Sequence, residues 1–306
     1  MSQRAASRPA LRHLVARLLT TVAVLAAVAA APVHAAGRKA HSSGRDPADR
    51  IGSASMLSVV TLNLWHDKGD WPARQRQIVA ELRRLQPDVI ALQEVLQHEN
   101  LPNQAQTLAD ALGYRAYFVS VDTADAPRRY GNAILSRRPL LALDWKPLQP
   151  ADDYRTVAHA RIAVDGRTVN LYATHLHYKP EGGAIRKRQI DDLLAYIDAS
   201  ADGAPSLVAG DFNAPEHAPE FAQFRQRFDN AYGRLHPGIA DDAREHSTLN
   251  LNQYAPLRID HIWYEPAAFA AESAQILFSA PDADGVWASD HYGVHALLRM
   301  LPPPGR

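Results

Sequence analysis

Apolar runs of strand length recur through most of the chain, and several of them stop on a carboxylate, an amide or an imidazole. The runs cover residues 57–65, 88–93, 114–120, 132–136, 156–164, 168–176, 206–209, 258–264, 274–278 and 293–298. So many strands must be arranged in a large sheet or a pair of sheets. The clearest stop is Gly210-Asp211-Phe212-Asn213, which follows Ser206-Leu207-Val208-Ala209. A strand ending on Asp-x-Asn sets two oxygen-bearing side chains on alternate positions of one face, where a hard cation and a phosphate oxygen could be held. The same residues also fit an Asx turn after a strand.

Helical periodicity appears between the strands. Ile78, Leu82 and Leu85 share a face, which predicts a helix from an N-cap at Asp70 to about residue 86. A second helix is predicted over 183–199, burying Ile190, Leu193, Leu194 and Ile197. The runs 156–164 and 168–176, joined through Asp165-Gly166, read as a hairpin, so the sheet is partly antiparallel. With no internal repeat and no linker inside 55–300, the expectation is one α/β or α+β domain, two sheets face to face with helices outside. The tail 301–306 is expected to be disordered.

The start of the chain reads as a secretory signal. Arg4, Arg8, Arg12 and Arg17 precede an apolar, alanine-rich stretch and the small-residue site Val33-His34-Ala35, so 1–35 is expected to be a signal peptide and 36–54 a flexible leader. The protein is then secreted or periplasmic, with no transmembrane segment after cleavage, and a monomer is expected. Cleavage after Ala35 leaves 29 of the 33 basic residues against 33 acidic ones. A mildly acidic total does not demand a nucleic-acid partner, and the run Arg186-Lys187-Arg188 reads as a solvated helix face. The chain has no cysteine, which excludes thiolate nucleophiles, iron–sulfur clusters and a disulfide framework.

The polar stops recur at the ends of buried-looking runs. Asn63 follows Thr61-Leu62; Gln93 and Glu94 follow Val89-Ile90-Ala91-Leu92; His175 and His177 end the run 168–176. Asp260 and His261 lie inside 258–264, and Asp290 and His291 precede the last run. Joint burial of carboxylates, amides and imidazoles is costly unless they bind something, and a metal with an anionic substrate answers it. Asn63, Glu94, Asp211 and Asp290 offer hard oxygens and no sulfur, which suits Mg2+, with Mn2+ as a substitute. Zinc on His175 and His177 is the competing arrangement, without a third obvious ligand nearby.

Seven segments in order resemble the endonuclease/exonuclease/phosphatase superfamily of metal-dependent phosphoesterases. They are Thr61-Leu62-Asn63, Leu92-Gln93-Glu94-Val95, Gly131-Asn132-Ala133-Ile134-Leu135-Ser136, Thr174-His175-Leu176, Gly210-Asp211-Phe212-Asn213, Arg258-Ile259-Asp260-His261 and Ser289-Asp290-His291. The resemblance spans 57–299 and implies an α+β four-layer sandwich with the site at one end. It implies Glu94 as the main magnesium ligand, assisted by Asn63 and Asp290. It implies Asp211 and Asn213 as the groups that orient water and phosphate, His291 held by Asp260 as the proton acceptor, and His175 as a phosphate donor or leaving-group acid. Whether His291 or Asp211 is the base stays open at this point.

With the signal peptide, the resemblance implies a secreted magnesium-dependent phosphoester hydrolase, and the expected substrate is a phosphodiester, in nucleic acid or in a phospholipid head group. His175 resembles deoxyribonuclease I and sphingomyelinases; the surroundings of Asp260 lack the inositol-phosphatase pattern. Phe212 replaces the leucine of secreted sphingomyelinases, and Trp71 and Trp145 are isolated rather than paired at a loop tip. Asn132 could support His175 where deoxyribonuclease I uses a glutamate. Sphingomyelinase-type cleavage is one alternative; a binding module that kept the fold and lost turnover is another.

Overall fold

The two-residue turn Asp165-Gly166, with φ of 47° and 83°, joins β6 (Thr156–Val164) to β7 (Arg167–His175) as the hairpin the sequence predicts. The computed structural model describes residues 55–303, so the expected signal peptide and leader lie outside the described residues, as do 304–306. Two six-stranded sheets are formed. The first takes β1 (Met56–Asn63), β2 (Val89–His98), β3 (Arg115–Ser120), β4 (Arg128–Ser136), β11 (Phe269–Leu277) and β12 (Gly293–Met300), in the order β11-β12-β1-β2-β4-β3. The second takes β5 (Leu140–Pro147), β6, β7, β8 (Ser206–Asp211), β9 (Asp229–Asn230) and β10 (Asp260–Tyr264), in the order β5-β6-β7-β8-β10-β9.

Each sheet has one parallel pair at its centre, β1 with β2 and β7 with β8, among antiparallel neighbours. Parallel strands end at the same edge, which brings Asn63 opposite Gln93 and His175 opposite Asp211. Residues alternate faces along each strand. Val59 and Ala91 therefore point between the sheets, where they join Ala160, Leu171 and Ala209. Val60 and Leu92 point outward and pack with Ile78 and Leu82 of α1 (Trp71–Leu85) and Leu108 of α2 (Gln104–Leu112). On the other side, Tyr172, Val208 and Trp263 are covered by Ile190, Leu193 and Ile197 of α3 (Gly183–Ser200). The result is the four-layer α+β sandwich.

Asp70 caps α1, its Oδ1 accepting from Ala73 N at 3.0 Å, and Gln86 closes it in the left-handed region with φ 48°. An Asp70→Ala variant is expected to lose about 1 kcal/mol, read as a lower urea midpoint at unchanged slope.

Four elements were not legible as sequence runs. α2 is short, although Asn103 caps it and Gly113 ends it. β5 is an edge strand with Leu141, Leu143 and Trp145 exposed, and β9 and α4 (Ala231–Leu235) are too short to carry a period. The basic run on α3 is also not a solvated face throughout. Arg186 is buried, its Nε donating to Glu220 at 2.8 Å. At the other end, Leu301 is pinned: its N–H donates to Ala268 at 2.8 Å and its carbonyl accepts from Arg167 at 2.6 Å, so the expected disordered tail does not begin there.

Candidate active site

The strand ends of both sheets converge on one cavity of about 750 Å³, and each predicted site residue has a distinct local origin. Asn63 is the last residue of β1, and its amide donates to Asp211 Oδ2 at 3.0 Å while its Oδ1 accepts from Trp65 N at 2.9 Å. Glu94 does not follow a strand end, as the apolar run suggested, because β2 continues to His98. The register of β2 against β4 shifts between Leu92 and Val95, and Glu94 sits in that bulge with φ 53°. A bulge of this kind re-aims a side chain out of the sheet alternation, here into the cavity. Glu94 Oε2 lies 2.8 Å from His66 Nε2.

The Asp211–Asn213 segment is both the turn and the site. Asp211 ends β8, and Asn213 follows in the left-handed region at φ 52°, so the two do not lie on alternate positions of one strand face. Asp211 Oδ1 accepts from Asn213 N at 2.9 Å, and the Asn213 amide donates to Leu176 O at 3.0 Å. Phe212 between them turns into the core with Phe221, Phe224 and Trp263 and is fully buried. It does not line the cavity, so its identity carries no direct reading of substrate.

Asp211 Oδ2 is a meeting point. Besides Asn63, His175 Nε2 approaches it at 3.4 Å and His291 Nε2 at 3.8 Å. The other face of His291 is held by Asp260, Nδ1 to Oδ2 at 2.9 Å, and Asp260 itself opens β10 directly opposite Asp211. Asp290 Oδ2 accepts from the Tyr254 hydroxyl at 3.1 Å.

Burial and charge set the protonation of this chain of groups. Burial pulls the His291 imidazolium down, but the Asp260 and Asp211 carboxylates outweigh it and raise its pKa to about 10. Burial, with repulsion from Asp260, pushes Asp211 up to about 7. Burial and then the positive charge of Arg155 hold His175 well below the usual imidazole range. Burial raises Asp290, and the nearby Glu94 carboxylate adds to it. For Glu94 burial acts upward, but the His66 contact outweighs it and keeps the acid ionised.

Three expectations change. His175 and His177 diverge, because β7 ends at His175; His177 Nδ1 meets Asp153 Oδ1 at 2.7 Å, so the two do not form a zinc pair. Asn132 does not support His175: its amide donates to Thr156 O and Oγ1 at 3.0 and 2.9 Å, and the Tyr130 hydroxyl stands 3.5 Å from His175 Nδ1 instead. His261 is a core residue, paired with Ala214 O at 3.0 Å and Asn230 at 2.9 Å. Tyr130, Arg155 and Tyr254 line the cavity without having been singled out. Only Tyr130 carried a usable signal, since it directly precedes Gly131-Asn132.

Among the described residues, the acids and imidazoles whose donor atoms fall within 4.8 Å of one another here are Asp211, Asp260 and His291. That trio is an imidazolium between two carboxylates, so most of its negative charge is offset within it. The pair with surplus negative charge facing the same cavity is Glu94 and Asp290, and its all-oxygen donors suit a hard divalent cation.

The sequence profile described as the Endonuclease/Exonuclease/phosphatase family matches residues 60–291. The uncharacterized protein YbhP of Escherichia coli K12 is 28% identical over 235 residues, covering 71% of this chain and 88% of its own. Human Nocturnin is 28% identical over 226 residues, 67% of this chain, and this chain spans about half of that protein, 51%. Among solved structures, the human Nocturnin catalytic domain with bound sulfate superimposes with a TM-score of 0.66 at 22% identity, covering 81% of this chain and 94% of that one. Danio rerio TDP2 complexed with single-strand DNA product gives 0.66 at 21% identity, covering 80% and 99%. With the profile spanning most of the ordered strands and every strand-end motif, the chain belongs to the endonuclease/exonuclease/phosphatase family, whose members are hydrolytic phosphoesterases.

Proposed function

We propose that the protein is an exported, magnesium-dependent phosphodiesterase. One observation carries this reading: Asp211 and His291, the latter held from behind by the buried Asp260, line one cavity with the carboxylates of Glu94 and Asp290. Glu94 and Asp290 are the residues that would hold the ion, and a divalent cation supplies charge neutralisation at the non-bridging and leaving oxygens. Asn63 fixes Asp211 through its amide, and one lone pair of its Oδ1 is left for the ion.

The protonation states divide the work between Asp211 and His291. A carboxylate poised near 7 is matched to accepting a proton from water at neutral pH, whereas an imidazolium poised near 10 holds its proton. Asp211 Oδ2 is therefore the base, and His291 Nε2–H donates to a phosphate oxygen as negative charge develops there. Asp260 keeps the ring oriented and charged. His175, neutral, offers one N–H toward the same phosphate, and Asn213 lines the cavity beside it. The sulfate on Nocturnin and the DNA product on TDP2 are consistent with an oxyanion site on this fold.

The test is hydrolysis of bis(p-nitrophenyl) phosphate, plasmid DNA, RNA and sphingomyelin, with magnesium and with chelator. Turnover that chelator removes and magnesium restores is expected. Glu94→Gln should lose most of that turnover while keeping the fold by circular dichroism. Chelator-resistant cleavage, or none on any substrate, would overturn the proposal and return the fold to a binding role.

A further inference from the structure

Arg155 stands out because a buried guanidinium is left almost without a counter-charge. The side chain is only 10% exposed, and its Nε has no hydrogen-bond partner among the described residues. Its ion pair with Asp153 Oδ2 is long, at 3.8 Å. Asp153 is already committed, Oδ1 to His177 at 2.7 Å and Oδ2 to Gln189 at 2.6 Å. A charge removed from water and paired this poorly is costly, and the cost is recovered when an anion binds.

Its position says which part of a ligand that anion belongs to. Arg155 and Tyr130 line the catalytic cavity on one side and a smaller cavity of about 330 Å³ on the other. The second cavity holds none of Asp211, Asp290 or His291. Its rim carries the exposed Arg128 and Tyr154, the latter 67% accessible. Its other carboxylate, Asp122, is turned inward, accepting from Ser120 Oγ at 3.0 Å and Tyr130 N at 2.9 Å. Arg155 and Tyr130 are the residues the two cavities share, so they stand between a scissile phosphate facing Asp211 and His291 and the second cavity.

We propose that Arg155 binds a second phosphate of the substrate, one unit removed from the scissile phosphate, and that the cavity beyond Tyr130 receives the group attached to it. Arg155 is thus a specificity determinant that favours multiply phosphorylated chains over isolated phosphodiesters. This rests on the phosphodiesterase reading above, and Arg155 touches substrate rather than the reacting atoms. Planar guanidinium donors match phosphate oxygens in pairs, which Lys reproduces only in charge.

The test compares thymidine dinucleotides with no terminal phosphate, a 5′-phosphate or a 3′-phosphate, in wild type, Arg155→Gln and Arg155→Lys. One terminal phosphate is expected to lower KM about tenfold in wild type, the effect of one charge-assisted contact. That ratio should fall to near one in Arg155→Gln and be partly kept in Arg155→Lys. Equilibrium binding of the same dinucleotides in chelator gives the ratio without turnover. A wild-type ratio near one, or a ratio unchanged in Arg155→Gln, would overturn the proposal, as would a preference for sphingomyelin. Should Arg155→Gln not fold, the wild-type and Arg155→Lys ratios still decide it. Absence of metal-dependent bis(p-nitrophenyl) phosphate hydrolysis would instead sink the phosphodiesterase reading, a separate outcome from a flat ratio.

Discussion

Asp211→Asn is expected to lower kcat by about a thousandfold with KM little changed, within the range for loss of a positioned base. Asparagine keeps the shape but has one acceptor oxygen, so it keeps either the Asn63 amide or the Asn213 N–H contact and not both, and a fall in stability of about 1 kcal/mol is expected beside the much larger loss of kcat. His291→Ala should cost a similar factor, and the double variant should be far less than multiplicative, because the two side chains stand 3.8 Å apart and act in the same transition state. The pH profile carries the same assignment. Activity needs Asp211 ionised and His291 protonated, so the rate rises with pH along an acid limb at or below about 7 and falls along an alkaline limb at or below about 10. Bound cation moves both limbs down, since it favours the less protonated forms. An Asp211→Asn enzyme within tenfold of wild type, measured as initial rates on bis(p-nitrophenyl) phosphate, would remove Asp211 from the chemistry.

Gly210→Ala is the substitution with the largest expected effect on stability. Gly210 pairs with Thr174 across the parallel strands β7 and β8, and a Cβ there would lie 2.0 Å from the Thr174 carbonyl oxygen. The obstruction is backbone in the middle of a sheet, with β6 on one side and β10 on the other, so no side chain can move aside. A loss of about 3 kcal/mol or more is expected by urea denaturation, at the top of the range for overpacked sites. Activity should fall with it, because separating β7 from β8 separates His175 from Asp211. Gly131 provides the control: its Cβ would meet Val119 O at 1.8 Å, but β3 is an edge strand and can yield. Gly131→Ala should therefore cost less, and a Gly210→Ala loss below about 1 kcal/mol would show that β7 and β8 part cheaply.

Much of this arrangement was legible because strands buried on both faces read as unbroken apolar runs, and any polar residue at their ends stands out. Asn63, His175, Asp211 and His291 were found that way and Asp260 inside its run; the parallel pairs bring strand ends to one edge, and the antiparallel β10 and β12 bring Asp260, at the start of one, and His291, just before the other, to the same edge. What was not legible depends on geometry without a periodic signature. The bulge at Glu94 looks in sequence like a strand end, since an apolar run followed by Gln-Glu describes both. Asn132 belongs to one of the seven segments and His177 follows another, yet one side chain turns to Thr156 and the other to Asp153. Arg155 precedes an apolar run as any strand-flanking arginine does; only the lack of a close counter-charge in three dimensions sets it apart.

The strand order also dictates when the site can exist during synthesis. The second sheet is drawn from one continuous stretch, β5 through β10, and can be assembled as that stretch emerges. The first sheet cannot, because β1, the earliest strand described, lies between β2 and β12, the latest. Until β12 arrives, β1 has an open edge, and Asp290 and His291, which immediately precede β12, have no frame to hold them against Asp211. Closing that pair joins segments more than two hundred residues apart, the slow kind of contact in folding, with Met56 beside Arg299. The arrangement of Asp211 against His291 is thus completed by the last strand rather than accumulating along the chain.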